Sequence, residues 1–541
     1  MSYLLSWLIF LPFVAALVIG ILPSHLKGVI KSIALVATCC QLVLSIILFV
    51  RFDGSLVPQG WADAFQFTEL VPWITLKLGT LGLLQIDYFV GVDGISMPLV
   101  VLSTLLLVIG VISSWKLEEK VKGYFILYLI LSGSLVGCFV ALDFFLFYVF
   151  FEFMLLPMFF LIGIWGGPRR SYASIKFFLY TLLGSLFILV VMIGLYLSVG
   201  EINEFGIQVN TFSLVHMMDG NYLLNSLLSP ESNYAIWGVS LRSWAFIFLL
   251  LGFLIKLPAV PFHTWLPDAH VEAPTAISLL LAGVLLKVGG YGLFRICYSI
   301  FPDIAIELAM PVAIIGLVSI IYGGLVAMAQ TDLKKLIAYS SVSHMGFVLL
   351  GLAALTSEGV SGSVFQMVSH GFISGALFLL VGVIYDRTHD RQIENVSGLA
   401  SKMPKYTFFV VLFFFASLGL PGLSGFVGEV LVLIGAIGAE STNGVFSRWI
   451  GIVAVLGIII SAAYYLWTLQ RMFFGNYWTR EESWDAKMLD ISTREWLMLV
   501  PLAVLVVILG VFPSILLGPI ENSVTFFVDS LMSQGQMFLS Q

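Results

Sequence analysis

Residues 246–292 read FIFLLLGFLIKLPAVPFHTWLPDAHVEAPTAISLLLAGVLLKVGGYG. Two apolar runs in this stretch carry one lysine each, Lys256 and Lys287. A helix satisfies its own backbone hydrogen bonds in lipid, so the runs read as membrane-spanning helices. Pro258 removes the backbone hydrogen bond to residue 254, so the first of them is expected to break beside its lysine.

Apolar runs of this kind recur from end to end, each near the length that crosses about 30 Å of hydrocarbon at about 1.5 Å per residue. With 60% hydrophobic and only 10% charged residues the chain excludes a water-soluble fold. The reading is an all-α polytopic membrane protein of about 14 spans, beginning near residues 3, 29, 95, 124, 143, 175, 243, 275, 304, 335, 361, 407, 449 and 495. An even number places both termini on one side of the bilayer. With the N-terminus outside, most of the 25 lysines and arginines fall in inner loops, and only Arg51, Lys77, Arg242 and Arg448 lie outside. The positive-inside rule then puts both termini on the periplasmic or equivalent face.

Residues 1–23 lack a basic start and a small-residue cleavage site, so they read as a retained first span. Cys39, Cys40, Cys138 and Cys297 lie in apolar runs without metal-ligand spacing and read as packing residues. Net charge is -6 with no basic tract, so the expected surroundings are a lipid bilayer and no nucleic acid.

Gly419-Leu420-Pro421-Gly422 interrupts the twelfth span as Pro258 interrupts the seventh. Counting five spans per unit, the fourth to eighth and the ninth to thirteenth, places both breaks at the same position, and an odd number of spans inverts the second unit. Matched broken spans point to a transport site in inverted-repeat proteins. The expected division is 1–123 for the first three spans, 124–300 and 301–478 for two inverted five-helix repeats, and 479–541 for the last span and a C-terminal tail. The loop 51–94 alternates apolar residues through Leu84-Gln85-Ile86-Asp87-Tyr88 and is expected to form an ordered hairpin outside the lipid.

Glu152, Lys256, Lys287 and Glu429 fall well inside apolar runs, where each charge costs at least a few kcal/mol. His344 and His370 join them as titratable groups. A buried ion pair serving assembly accounts for one such group, but four charges together mark an ion path. Counted from the nearer span end, Glu152, His344 and Glu429 lie roughly 14 Å deep, Lys287 roughly 18 Å and Lys256 roughly 20 Å. Groups of similar depth form a row along the membrane plane rather than a wire across it. A lysine suits such a row, because burial favours its neutral amine and a nearby carboxylate its ammonium. Glu152 is the expected partner that tunes Lys256.

Weaker signals are discounted. KVGGYG has closely spaced glycines but no preceding strand, so it is not read as a nucleotide loop. Gly425 and Gly428 read as close-packing positions. His263, Asp268, His270 and Glu272 cluster between the seventh and eighth spans, and a polar proton-uptake vestibule or a capped loop outweighs a metal site there.

FEFMLLPMFFLIGIWGGPRR from residue 151, the stretch around Lys256 and Lys287, TDLKKLIAYSSVSHMGFVLLG from 331 and LPGLSGFVGEVLVL from 420 resemble the antiporter-like membrane subunits of complex I, the proton-pumping NADH:quinone oxidoreductase. The similarity runs from about residue 80 to 500. It implies a 14-helix fold with two inverted repeats, broken seventh and twelfth helices and a central hydrophilic axis. By motif, Glu152 would be the glutamate of the fifth helix, Lys256 the lysine of the broken seventh, Lys287 the central lysine of the eighth and Glu429 the acidic end of the row. His344 and His370 would bridge the centre toward it. Sister chain L and cation/proton antiporter subunits usually carry a lysine at the position of Glu429.

The resemblance also implies that this chain binds no cofactor. NAD(P)H or ferredoxin, FMN, iron-sulfur clusters and quinone would be bound by partner subunits, and the neighbours would be other membrane subunits, notably the antiporter-like chains L and N. A bacterial inner membrane is the expected location, with a thylakoid membrane second. Two further readings stand beside this one: a subunit of a multi-subunit sodium/proton antiporter, and a structural membrane scaffold. The loop 200–242, with ESNYAIW, matches no pattern and receives no role.

Overall fold

The structure is a computed structural model that describes residues 3–77, 83–202, 208–222, 226–230, 232 and 234–540. Among them, 13 helices are long and apolar enough to cross a membrane. They are Leu4–Ile21, Lys27–Arg51, Ser96–Lys116, Val121–Val140, Phe144–Trp165, Arg170–Ser198, Thr275–Tyr298, Ala309–Met328, Leu333–Ala353, Ser357–Thr388, Ser424–Thr442, Trp449–Met472 and Thr493–Val511. The seventh crossing is made in pieces, Leu241–Lys256 and Trp265–Glu272. The twelfth adds Pro404–Ser417 ahead of Ser424–Thr442. The ninth span starts later than its sequence suggests, because Pro302–Glu307 forms a separate short helix before Ala309.

Spans eight, ten and eleven are enclosed almost completely, whereas spans one, two, six, nine, twelve, thirteen and fourteen bury less than half of their residues. The exposed residues are large and apolar, such as Leu17, Val36, Leu179 and Ile459, as a lipid-facing rim requires. The enclosed centre is where the polar side chains collect.

The two breaks have different origins. In the seventh span Pro258 cannot donate, so the Leu254 carbonyl accepts instead from Ala259 N at 3.1 Å. Trp265 Nε1 donates to the Ile255 carbonyl at 2.8 Å, and Val260 N donates to Ser319 Oγ at 3.0 Å. In the twelfth span Gly419 and Gly422 take φ of 81° and 91°, the left-handed region where glycine is unhindered. The seventh span runs away from the N-terminal face and the twelfth runs toward it, which is the inversion expected of two five-span repeats.

The N-terminal face is capped by three pieces. Strands Gln66–Lys77 and Leu83–Val92 pair antiparallel, with irregular register at Pro72, which has no N–H for the ladder. The tip joining them, and Glu231 and Asn233 of the ESNYAIW loop, lie outside the described residues. The third piece is a helix of 26 residues, Ser514–Leu539, where the sequence reading has only a tail. Asn522 Nδ2 donates to the Gly54 carbonyl at 2.8 Å, Ser523 Oγ accepts from Gly94 N at 3.0 Å, and Phe526 meets Trp61 edge-on at 5.0 Å between centroids. Two buried ion pairs lie under these pieces. Arg242 meets Asp303 through two bonds of 2.7 and 2.6 Å, and Arg295 meets Asp93.

Candidate functional site

Glu152 sits where the fifth span hitches. Helix Phe144–Phe153 ends and Leu155–Trp165 begins at Met154, because Pro157 has no N–H to offer the carbonyl of Phe153. Its Oε1 is buried without a hydrogen-bond partner, and Tyr148 stands beside it together with Ser185. Lys256 ends helix Leu241–Lys256 just before the break. Its Nζ lies 4.2 Å from the centroid of the Phe151 ring and has no hydrogen-bond partner. The negative face of the ring attracts an ammonium but cannot take its proton. Among the described residues no ion pair joins Glu152, the expected tuning partner, to Lys256.

Lys287 is held differently. Its Nζ donates to the Ala282 carbonyl at 2.6 Å and lies 2.7 Å from Nδ1 of His370. The turn Leu281–Leu285 just before it is π-helical, a form found mostly as single turns at functional sites. The His370 and His344 ring centroids are 5.5 Å apart. His344 Nδ1 lies 3.0 Å from Glu429 Oε1, and its Nε2 lies 3.1 Å from Ser417 Oγ. Gln366 Nε2 adds a contact of 3.4 Å to the same Nδ1. The second oxygen of Glu429 is buried without a partner and faces Gly419, where a Cβ would stand 2.8 Å from it. His344, His370, Gln366, Ser417 and Glu429 share a cavity of about 10 Å³, close to the space one water occupies.

The structure thus brings together Lys287, His370, His344 and Glu429 in that order, with His370 between the central lysine and His344. Glu152 and Lys256 stand apart from this group. The link between Lys256 and the eighth span is backbone packing: a Cβ on Gly289 would stand 2.6 Å from Leu257 N and 3.0 Å from the Lys256 carbonyl carbon. The glycines of KVGGYG are thus packing residues. Gly425 behaves the same way, 2.0 Å from the Ala416 oxygen by the same measure. Tyr148, Phe151, Gln366, Ser417 and Tyr465 are site residues that sequence reading passes over. Ser417 carried a usable signal, standing two residues before the glycine that opens the twelfth-span break.

The four-residue cluster after the seventh-span break is dispersed. Asp268 pairs with Lys176 at 2.7 Å, and Glu272 Oε2 accepts from Arg169 N at 2.9 Å. His263 packs edge-on to Tyr322, and His270 stacks flat on Phe378 at 4.3 Å. Among the described residues no group of three His, Cys, Asp or Glu side chains could hold a metal ion. A cavity of about 290 Å³ opens beside Glu272, Lys334, Asp386 and Arg391 on the face opposite the termini.

Residues 141–457, which hold every member of the row, match the family model described as NADH:quinone oxidoreductase/Mrp antiporter, TM. The chain belongs to this NADH:quinone oxidoreductase/Mrp antiporter family. Residues 61–139 match a second model, NADH-ubiquinone oxidoreductase chain 4, amino terminus. Among family members, NADH-quinone oxidoreductase subunit M of Rhodobacter capsulatus is 42% identical, over 98% of this chain and 97% of its own. A chain of respiratory complex I from Thermus thermophilus with bound NADH is similar in structure, with TM-score 0.78, 29% identity and coverage of 97% and 99%. A chain of the Mrp complex from Dietzia sp. has the same fold, with TM-score 0.78 at 20% identity, covering 99% of each chain.

Proposed function

We propose that this chain is the proton-translocating subunit M of an NADH:quinone oxidoreductase, moving protons along its buried row while redox chemistry takes place in other subunits. The observation that carries this reading is the contact series Lys287, His370, His344, Glu429 at the enclosed centre of a chain 42% identical to a subunit M. A proton on Lys287 has a neighbouring base in His370, and one on His344 has a neighbouring carboxylate in Glu429. Glu152 and Lys256 form the other end, where moving the carboxylate changes whether the lysine keeps its proton. The first repeat, 124–300, contributes Glu152, Lys256 and Lys287, and the second, 301–478, contributes His344, His370 and Glu429.

FMN, iron-sulfur clusters, quinone and the donor, NAD(P)H or ferredoxin, belong in this reading to partner subunits. Antiporter-like chains L and N are the neighbours that would meet the two ends of the row. Both termini face the periplasm of a bacterial inner membrane, as the lysine and arginine distribution supports. Moving one proton against about 100 mV takes about 2.3 kcal/mol, so the row is gated by its neighbours rather than open. The Mrp likeness supports a second reading, a sodium/proton antiporter subunit with no redox partner.

Gentle purification of the tagged chain separates the two. Flavin and iron-sulfur absorbance with NADH or ferredoxin oxidation in the purified assembly is the expected result, and membrane partners alone would favour the antiporter. Glu152→Ala and Lys256→Ala are expected to remove most proton pumping from assembled complex. Normal pumping in both would take them out of the path.

A further inference from the structure

His344 also has a neighbour on its Nε2 side, and the row makes no use of it. Ser417 Oγ lies 3.1 Å from Nε2 of His344 and donates to Tyr465 Oη at 2.7 Å. Tyr465 Oη lies 2.8 Å from Ser340 Oγ, which accepts from Tyr464 Oη at 2.9 Å. Four hydroxyls from the twelfth, thirteenth and tenth spans therefore form one chain, none of them more than 4% exposed.

The bland account is that hydroxyls in apolar helices bond the carbonyl one turn back. Ser341 does so at 3.1 Å, Ser103 at 2.6 Å and Thr181 at 2.7 Å. Ser340 and Ser417 instead point across to other spans, and each makes its hydrogen bonds to side chains only. Ser417 is the last residue of its helix before the break, so its place beside His344 is a product of that break.

We propose that Ser417 and Tyr465, backed by Ser340 and Tyr464, are positioning residues that fix the tautomer of His344. Because the Ser417 hydrogen is given to Tyr465, the Ser417 lone pairs face Nε2, and Nε2 is the nitrogen that keeps its hydrogen. Nδ1 is then the nitrogen that exchanges. An N–H bond of His370 breaks as its proton crosses to Nδ1, where a new N–H bond gives the His344 imidazolium while Glu429 is still a carboxylate. That bond breaks as the proton moves to Glu429 Oε1, and the neutral ring returns with Nε2–H unchanged. The Nε2–H to Ser417 bond strengthens while the ring is charged, so the chain favours the loaded state. Without it, the neutral ring is free to carry its hydrogen on Nδ1, which turns a donor toward the site where the next proton must land.

This assignment rests on the proton-row reading above, and the test separates the two. In assembled complex reconstituted into vesicles, protons pumped per electron pair are measured for Tyr465→Phe, Ser417→Ala, Ser417→Thr and His344→Ala. Tyr465→Phe keeps the ring against Phe414 and Tyr464 and removes only the hydroxyl. The expected result is a severalfold loss of pumped protons in Tyr465→Phe and Ser417→Ala, with recovery in Ser417→Thr, which restores the hydroxyl. Wild-type pumping in Tyr465→Phe and Ser417→Ala, with His344→Ala impaired, would overturn the tautomer assignment alone. Wild-type pumping in His344→Ala as well would overturn the row.

Discussion

Lys256 and Lys287 are the same residue type, both fully buried, and they are held in opposite ways. Lys287 has a carbonyl at 2.6 Å and an imidazole nitrogen at 2.7 Å, and the contacts run on from there to Glu429. Lys256 has an aromatic face and no hydrogen bond. An amine over an aromatic face has no base within hydrogen-bond reach, whereas one beside an imidazole nitrogen does. In the proposed proton row, Lys287 therefore has a contact through which to pass a proton and Lys256 has none.

The largest expected effect breaks both halves at once. Lys256→Met and Lys287→Met should each lower proton pumping by more than about tenfold, as removal of a positioned proton carrier does, measured in vesicles of assembled complex. Stability should tell them apart. Lys287→Met leaves His370 Nδ1 and the Ala282 carbonyl without a strong donor, at a cost of about 1–3 kcal/mol. Lys256→Met strands no partner and removes an unpaired buried amine, so it should be neutral or stabilising. Thermal inactivation of the two purified complexes checks this, and equal loss in both would show that Lys256 has a partner in the working assembly.

Next in size come the glycines behind the two breaks. Gly425→Ala places a Cβ 2.0 Å from the Ala416 oxygen, and Gly289→Ala places one 2.6 Å from Leu257 N, with backbone as the obstacle in both. Each should cost about 1–3 kcal/mol or more as an overpacking change, with Gly425→Ala the worse. Quantitative blotting of assembled complex measures it. Full assembly in both would mean that the backbone around each break can give way without penalty.

These glycines show where sequence reading reached and where it stopped. Buried charges stand out against apolar runs, and Pro258 and the Gly419 to Gly422 turn announce the breaks, so the fold class and the candidates for a proton row were legible. The order of the row was not, because His370 and Lys287 are 83 residues apart and meet only through helix packing. The Phe151 ring over the Lys256 Nζ was not legible, because an aromatic residue in an apolar run carries no signal of its own. The hydroxyl chain was invisible, since serine and tyrosine in a membrane helix carry no signal until their cross-span partners are known. The helix Ser514–Leu539 was missed because its apolar residues cover one side only, unlike a span.

The smallest expected effect sharpens the contrast between the breaks themselves. The twelfth-span break is made by glycines and closed by its own backbone, with Leu420 N donating to Phe415 O at 3.0 Å. The seventh is made by proline and closed by side chains, above all by Trp265 Nε1 on the Ile255 carbonyl. Trp265→Phe keeps an aromatic ring against Phe177 but leaves that carbonyl unpaired beside Lys256. The cost should be about 1 kcal/mol, too little to impair assembly, and hydrogen exchange of the assembled complex should rise over 254–262 while the twelfth-span turn stays unchanged. Unchanged exchange over 254–262 would mean that the bond from Val260 N to Ser319 Oγ holds the turn by itself. Lys256 would then be anchored from the second repeat, since Ser319 lies in the ninth span.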